Sequence, residues 1–348
     1  MISLARLAGA PIAAAERGWL PDPLIRAGIR GRVARRASQE AARSDADIER
    51  TRTEFADGPI TLATAEANEQ HYEVPPEFFA CHLGPRLKYS CCNWDDGVAS
   101  LEEAERRTLA LVTERAQIED GMRVLDLGCG WGSLSLWIAE HFPHCEVTAV
   151  SNSAPQGEWI ATQRIQRGLS NVTHHVAEIG SFTTEGGYDR VTSIEMFEHV
   201  RNWPTLLARV GNWLRPDGRA FIHVFCHARA TYPFDSDRAG DWMSKRFFSG
   251  GMMPSFDHLA RSLTNLRVDE SWRVNGSNYE RTSNAWLERL DANRDLALAA
   301  LANDPSRSAE RWFNSWRIFY MAVAELFGYR DGEEWLVGHY RLAPEPGA

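Results

Sequence analysis

Three titratable side chains stand close together in the segment Ser193-Ile-Glu-Met-Phe-Glu-His199. An apolar strand is predicted to end here, so Glu195, Glu198 and His199 would lie where that strand leaves the core. Partial burial at such a place moves carboxyl and imidazole pKa values toward neutral, as general acid–base chemistry needs. In the structural alternative, Glu198 and His199 form a helix cap and a salt bridge. We predict that all three residues are catalytic.

A second group, Asp126, Gly128, Gly130 and Gly132, separates a short apolar run from the start of a helix. Glycines in a strand–turn–helix unit let backbone N–H groups approach a ligand closely. The spacing Asp-x-Gly-x-Gly-x-Gly differs from that of dinucleotide-binding folds and resembles the first motif of class I S-adenosylmethionine-dependent methyltransferases. A ligand-free turn and a nicotinamide site are the alternatives. We predict that these four residues bind S-adenosylmethionine.

Residues after the next two predicted strands support the same cofactor. Asn152 and Gln156 follow the second strand, where a carboxylate ordinarily binds an adenosine ribose. Amide groups can bind both ribose hydroxyls without charge, and the missing carboxylate counts against a nicotinamide-dependent dehydrogenase. Glu178 and Ile179 follow the third strand, at a position suited to the edge and face of an adenine ring.

The elements that must position these residues alternate regularly along the chain. Strands are predicted over residues 123–127, 146–151, 172–176, 190–194 and 219–225, followed by two more near 268–274 and 334–342. Helices are predicted to begin near Ser133, Pro155 and Trp203. This order predicts an α/β fold with a mostly parallel, seven-stranded sheet, in which ligands bind beyond the carboxyl ends of the strands.

The changes in pattern along the chain divide it into four predicted regions. Residues 1–70 form an N-terminal helical region, and residues 71–228 form the cofactor-binding core. Residues 229–328 include the sixth strand and a helical, aromatic lid over the substrate, with a packing insert as the alternative. Helices in this region are expected from about Ser283 to Leu326. Residues 329–348 contain the last strand and a tail.

Composition excludes several classes of function. Acidic residues outnumber basic ones by 47 to 38, giving a formal net charge of −9, so tight nucleic-acid binding is not expected. Six cysteines without a Cys-x-x-Cys pair predict reduced thiols in a cytoplasmic protein. Residues 1–43 carry eight arginines and three acids. A solvated helix face is the preferred interpretation, and a transit-like leader or a membrane-surface helix is the alternative.

Two further residue groups have simpler explanations. His223 and His227 are possible metal ligands, but zinc needs three or four and no partner pair has familiar spacing. We therefore predict no metal. Trp312, Trp316 and Phe319 recur at helical spacing, which is typical of a core face; a substrate wall is the sharper alternative.

Several motifs in one order, among them Lys88-Tyr-Ser-Cys91, resemble coclaurine N-methyltransferase and its relatives, a branch of the cyclopropane-fatty-acyl-phospholipid synthase superfamily. The matching segments are 71–76, 88–91, 114–121, 124–135, 193–199, 247–254, 274–276, 322–329 and 332–335. The resemblance implies a class I methyltransferase fold with N-terminal helices and a helical lid. The cofactor contacts that it implies are Ser90, Gly128, Asn152, Gln156, Glu178, Ile179 and Ile194. The family usually has aspartate where this chain has Glu178.

The two branches imply different chemistry at the acceptor. The amine-methylating branch has glutamate at the position of Glu195, where the synthases usually have glycine. This match implies that the three predicted catalytic residues surround a substrate amine, with Trp316 and Phe319 lining its pocket. In the synthases, four residues hold a bicarbonate ion that acts as base. The matching positions here are Cys91, Glu198, His223 and Tyr279.

The predicted function is in-line methyl transfer from S-adenosylmethionine to a small, possibly alkaloid-like amine, whose proton is taken by Glu198 or His199 while Glu195 attracts the cation. Methylation or cyclopropanation of an unsaturated fatty acyl chain, with bicarbonate as base, is the alternative. A bicarbonate next to Glu195 would be repelled by its charge, which favours the amine. A homodimer is left open.

Overall fold

The computed structural model describes residues 11–61, 74–234, 242–247, 250–302 and 308–347. Some predicted features therefore lie outside the described residues. They are the first ten residues of the basic N-terminus, the end of the N-terminal region at residue 70, the segment 71–73 before Val74, and residues 248–249 of the aromatic segment.

The strands in the described part of the chain are β1 (Arg123–Leu127), β2 (Glu146–Ser151), β3 (Val172–Val176), β4 (Tyr188–Ile194), β5 (Leu214–His227), β6 (Tyr232–Pro233), β7 (Met252–Met253), β8 (Leu266–Val274) and β9 (Trp335–Pro344). Seven of them form one sheet in the order β3-β2-β1-β4-β5-β9-β8, which confirms the predicted α/β class. Strands β1 to β5 pair in parallel, and β9 pairs antiparallel with both β5 and β8. The short strands β6 and β7 form a separate pair.

Twelve α-helices lie between Asp22 and Phe327 in the described part of the chain, and residues 11–16 are also helical. They are α1 (Asp22–Ala41), α2 (Asp45–Ala56), α3 (Pro76–His82), α4 (Leu101–Arg115), α5 (Ser133–His141), α6 (Ala154–Gln166), α7 (Trp203–Trp213), α8 (Trp242–Phe247), α9 (His258–Arg261), α10 (Ser277–Ala292), α11 (Arg294–Leu301) and α12 (Ala309–Phe327).

Strand β1 is buried on both faces, and its neighbours determine where a ligand can bind. Val124, Leu125 and Leu127 have no exposed surface, as expected for a central strand covered by helices on both sides. The strand order reverses between β1 and β4, where Leu127 pairs with Ser193. The carboxyl ends of these two strands therefore open the crevice in which α/β folds bind ligands.

Side-chain caps begin the helices that flank this crevice. Ser100 begins α4 by accepting a hydrogen bond from the Glu103 N–H group. Ser153 begins α6 in the same way and accepts from the Gln156 N–H group, which places Gln156 at the carboxyl end of β2.

Helix α10 begins at Ser277, earlier than the predicted start near Ser283. The polar run before it caps the helix, because the Asn275 side chain accepts a hydrogen bond from the Ser277 N–H group at 2.8 Å. Tyr279 consequently lies in the first turn of α10 instead of in a loop.

Arginines of the N-terminal region are used within the fold. Arg26 and Arg30 pair with Glu325 of α12, and Arg36 and Arg43 pair with the buried Glu40. These contacts favour a structural role for the basic segment. In the described part of the chain, no helix combines the length and apolar character needed to cross a bilayer.

Candidate active site

A pocket lies in the crevice between the ends of β1 and β4. Its lining comes from the segment before α4, the glycine turn after β1, the start of α6 and the end of β4. The lining residues are Leu87, Lys88, Tyr89, Ser90, Leu109, Asp126, Gly128, Cys129, Gly130, Trp131, Ser133, Leu134, Gln156, Ile194 and Glu195. Six of the predicted cofactor residues thus line a single pocket: Ser90, Asp126, Gly128, Gly130, Gln156 and Ile194.

The glycine turn needs glycine for two different reasons. Gly128 has φ +72°, and a Cβ atom there would lie 2.5 Å from the Met196 Cγ atom. Gly130 has φ +53°, but a Cβ atom there would meet nothing within 4 Å. Gly130 therefore borders open space in the pocket, where a ligand can approach the backbone. This arrangement suits the amino-acid part of S-adenosylmethionine.

Asp126 braces the turn from inside the core. The Ser135 hydroxyl donates to one carboxylate oxygen at 2.6 Å, and the Thr192 hydroxyl donates to the other at 3.0 Å. Burial raises the pKa of Asp126 to about 6, although these two hydrogen bonds act in the opposite direction. Asp126 thus joins β1 to α5 and β4 at the base of the pocket.

Four other predicted cofactor residues do not belong to this lining. Gly132 packs against Ile160, since a Cβ atom there would lie 2.7 Å from its Cγ1 atom. Asn152, Glu178 and Ile179 follow β2 and β3 at the same edge of the sheet. The Glu178 carboxylate accepts a hydrogen bond from the Thr61 hydroxyl at 2.7 Å. The assignment of Asn152, Glu178 and Ile179 to the adenosine end of the cofactor stays a prediction.

Glu195 lies in a strained position at the centre of the site. Its φ of +48° is in the left-handed region, which costs a residue with a side chain about 1–2 kcal/mol relative to glycine. Strain of this kind persists where surrounding contacts determine the conformation. The Glu195 N–H group donates to the His223 carbonyl at 2.8 Å, which holds the backbone beside β5.

Three donors converge on the Glu195 carboxylate. The Cys91 N–H group and the His223 Nε2 atom contact Oε1 at 2.9 and 3.1 Å, and the Tyr279 hydroxyl donates to Oε2 at 2.6 Å. An ionised carboxylate only accepts, so with Glu195 ionised the proton of His223 is on Nε2. These donors come from three distant segments, and together they form a cradle for a planar anion.

Glu198 differs from Glu195 in its hydrogen bonding. Its Oε1 atom accepts from the Phe225 N–H group at 2.7 Å, and its buried Oε2 atom has no partner among the described residues. Burial and the nearby charge of Glu195 raise the pKa of Glu198 well above its ordinary value. Burial raises the pKa of Glu195 as well, but its three donors, against one for Glu198, favour the negative charge on Glu195.

His199 is the last residue of the 3₁₀ turn Phe197–His199, which also contains Glu198 and begins two residues after Glu195. Burial lowers the pKa of His199 to about 4, with the charge of Glu195 acting in the opposite direction. Its imidazole is therefore neutral near pH 7 and able to accept a proton. This turn supplies the predicted acid–base group, which the structure brings together with Glu195.

The four residues matched to a bicarbonate site also meet here, but around a protein carboxylate. Cys91, His223 and Tyr279 all bind Glu195, and Glu198 lies beside it. Lys88, which had no predicted role, is a buried part of the same cluster. Its position in a polar stretch gave no sign that it would be buried.

A buried aromatic cluster of the hydrophobic core adjoins the pocket. Trp316 is fully buried, with its ring centroid 5.6 Å from that of Phe79 and 6.3 Å from that of Tyr89. Phe319 stacks on Phe247 of α8 at 4.3 Å. Tyr89 lines the cofactor pocket as well, so the cluster reaches the pocket at this residue. Trp316 and Phe319 pack in the core behind it, and their assignment to a substrate pocket stays a prediction. Periodicity identified Trp316 and Phe319, whereas Phe79 and Tyr89 join them only through tertiary packing.

A class I methyltransferase sheet with this pocket agrees with the comparisons with known proteins. Residues 61–332 match the family model described as mycolic acid cyclopropane synthetase, and the chain belongs to this family. It is an S-adenosylmethionine-dependent methyltransferase, like the relatives and solved structures that it resembles.

Members that act on amines and on lipids are both among the relatives. The chain is 35% identical to (S)-coclaurine N-methyltransferase of Thalictrum flavum subsp. glaucum, over 93% of this chain and 92% of that protein. It is 32% identical to cyclopropane-fatty-acyl-phospholipid synthase of Escherichia coli strain K12, over 77% of this chain and 66% of that protein. A crystal structure of coclaurine N-methyltransferase bound to N-methylheliamine and SAH aligns with a TM-score of 0.91 and 34% identity, covering 96% of this chain and 99% of that one.

Proposed function

We propose that this enzyme transfers the methyl group of S-adenosylmethionine to the nitrogen of a small amine that carries an aromatic or alkaloid-like ring system. The observation that carries the proposal is the Glu195 carboxylate in its cradle of three donors. The relatives that methylate coclaurine, together with the solved complex with N-methylheliamine, support the same class of acceptor.

The cradle favours an amine over a lipid alkene for an electrostatic reason. A bicarbonate base needs the donors that Glu195 already uses, and its charge would lie against another carboxylate. A cationic amine has the opposite sign and is attracted to the same group. Glu195 thus supplies in the chain itself the negative charge that an added anion would supply.

Each polar residue has a distinct proposed role. S-adenosylmethionine supplies an electrophilic methyl group on a sulfonium, to be displaced in line. Glu195 attracts the ammonium form of the substrate, and neutral His199 accepts its proton, which frees the nitrogen lone pair. Glu198, holding its own proton, offers a hydrogen bond from its otherwise unpartnered side. Orientation of the two reactants contributes about 7–11 kcal/mol in favourable cases.

The aromatic cluster is the proposed binding surface for the rest of the acceptor. Tyr89 borders the cofactor pocket, and Trp316 and Phe319 lie behind it, where an aromatic substrate and a nearby cation would be bound through ring contacts. The Trp286 Nε1 atom is buried without a partner among the described residues, so a polar substituent could accept from it.

The six cysteines are free, which supports the proposed cytoplasmic location.

The second candidate is methylation or cyclopropanation of an unsaturated acyl chain. It is favoured by the presence of Cys91, Glu198, His223 and Tyr279 in one cluster, and by the synthase relative. Under this alternative, Glu195 would have to leave the cradle before bicarbonate could enter.

A labelling experiment separates the candidates. The enzyme is given methyl-labelled S-adenosylmethionine with a panel of secondary and tertiary amines, and separately with unsaturated phospholipid vesicles with and without bicarbonate. We expect label in amine products that are identified by mass. Label confined to acyl chains would overturn the proposal, and cofactor binding with no product in either panel would indicate a binding protein.

A further inference from the structure

Lys88 is a buried cation with an unusual set of contacts. Its side chain is almost fully buried, and its Nζ atom donates to the Ser90 hydroxyl and to the Cys91 carbonyl, each at 2.6 Å. Both acceptors are neutral, and Lys88 forms no direct ion pair within the described part of the chain. A buried charge held this way is costly unless other charges compensate it at longer range.

The chain otherwise uses arginine for positive charge. It contains two lysines, Lys88 and Lys245, and the other 36 of the 38 basic residues are arginines. An ammonium group is compact and has three rotatable donors, whereas a guanidinium is a wide planar fork. The narrow space between the two oxygens therefore suits lysine.

The two oxygens that Lys88 binds belong to the two halves of the active site. Ser90 lines the cofactor pocket. Cys91 donates its N–H group to the Glu195 carboxylate at 2.9 Å. A change at the Lys88 ammonium would thus reach both the cofactor side and the acceptor side through the three residues that follow it.

Glu105 holds the same loop from its other end. Its carboxylate accepts hydrogen bonds from the N–H groups of Arg86 and Lys88 at 2.9 and 3.1 Å. A Cβ atom at Gly84 would lie 2.4 Å from this carboxylate, so the backbone approaches it closely. Lys88 therefore lies between two buried acids, Glu105 and Glu195.

The charge of Lys88 acts on Glu195. Burial raises the pKa of Glu195, and among the influences that lower it the Lys88 charge is the largest, ahead of the hydrogen bonds from Tyr279 and Cys91. The titratable and charged groups that face this carboxylate are Lys88, Cys91, Glu198, His199, His223 and Tyr279. Lys88 is the lysine among them, and its charge opposes the effect of burial on the pKa of Glu195.

We propose that Lys88 is a positioning residue. Its ammonium group holds residues 88–91 in the geometry that both halves of the site use and places a positive charge near the Glu195 carboxylate. Only the consequence for amine attraction rests on the proposed function, because the link from Lys88 to Ser90, Cys91 and Glu195 holds for any acceptor.

A double-mutant cycle with Lys88→Met and Glu195→Gln tests the charge link without any substrate. The thermal unfolding midpoint is measured for the natural protein, both single variants and the double variant. We expect Lys88→Met to lower the midpoint clearly in the natural background and by less than half as much beside Glu195→Gln, where no carboxylate is left uncompensated. Equal losses in both backgrounds would overturn the charge link.

The positioning role is tested with Lys88→Gln, which retains a donor but has no charge. Calorimetry with S-adenosylhomocysteine is expected to show a dissociation constant about 10-fold larger for Lys88→Met, and a change of about 3-fold or less for Lys88→Gln.

The pH profile of kcat/KM tests the effect of the charge, and its acid limb should move upward by about one pH unit in Lys88→Gln. An unmoved limb, or unchanged cofactor affinity in Lys88→Met, would contradict the proposal. The binding and unfolding results stand even if amines prove not to be acceptors.

Discussion

The two halves of the active site are built in different ways. The cofactor half is mainly a turn of consecutive residues, Asp126 to Gly132, supported by the parallel sheet. The acceptor half is assembled from segments that lie far apart in the chain. Cys91, His223 and Tyr279 each form a hydrogen bond with the carboxylate of Glu195. The first half suits one cofactor across the family, whereas single substitutions in the second can change the acceptor.

The largest expected effect is on cofactor binding, from a substitution in the cofactor half of the site. Gly128→Ala puts a Cβ atom 2.5 Å from Met196 in a left-handed conformation, so the turn must shift. We expect the dissociation constant for S-adenosylhomocysteine to rise about 1,000-fold, from strain and overlap that together reach about 4 kcal/mol. Calorimetry checks this value. Gly121→Ala is the matched control, because Gly121 has φ +87° with nothing within 4 Å and lies outside the pocket lining; equal losses in both variants would contradict the argument.

The next largest effect is expected when the negative charge of Glu195 is removed and the cofactor half of the site is left unchanged. Glu195→Gln should lower kcat/KM for amine methylation about 100-fold, as expected for a preorganised charge in a dry site. Affinity for S-adenosylhomocysteine should change by about 3-fold or less. Glu198→Gln is the comparison variant, since an amide resembles the protonated carboxyl that we assign to Glu198. A larger loss in Glu198→Gln than in Glu195→Gln would reverse the assigned charges.

A third variant separates chemistry from folding at the same residue. Glu195→Gly removes the carboxylate and also relieves the left-handed strain at φ +48°. We expect amine methylation to fall about as far as in Glu195→Gln, while the thermal unfolding midpoint falls only moderately, because relief of the strain partly offsets the loss of the three hydrogen bonds to Glu195. Retained amine methylation in a folded Glu195→Gly enzyme would remove Glu195 from the mechanism and favour the lipid acceptor.

The smallest expected effect is on the free energy of unfolding, through His82 beside the aromatic cluster. His82 contacts the Phe78 carbonyl and the Tyr320 hydroxyl, and burial lowers its pKa from 6.5 to about 3. The unfolded chain therefore binds a proton that the folded chain does not, and the stability from His82 is full above pH 6.5 and lost as pH falls toward 3.

Urea unfolding of His82→Gln measures this contribution. The advantage of the natural protein over the variant should shrink by about 2 kcal/mol between pH 6.5 and pH 5, at about 1.4 kcal/mol per pH unit. His175→Gln, at an exposed position of β3, is the control and should show no such trend. An advantage that is constant with pH would mean that His82 titrates normally in the folded state.

Much of the fold followed from local sequence, because local patterns encode local structure. Buried strands such as β1 and β4 appear as short apolar runs, and the glycine spacing after β1 requires a turn with positive φ. The α/β class and the titratable cluster at the end of β4 could therefore be predicted. The start of α10 was placed too late, because the cap from Asn275 resembles a loop in sequence.

The sequence by itself determined the class of cofactor, the succession of strands and helices along the chain, and the presence of Glu195, Glu198 and His199 at one strand end. Only the tertiary structure decided that Glu195 occupies the donors of Cys91, His223 and Tyr279, and that Lys88 is buried beside it. The physical reason is range: backbone propensity and periodicity act over a few residues. The charge state of a buried carboxyl depends instead on donors that folding brings together from distant parts of the chain.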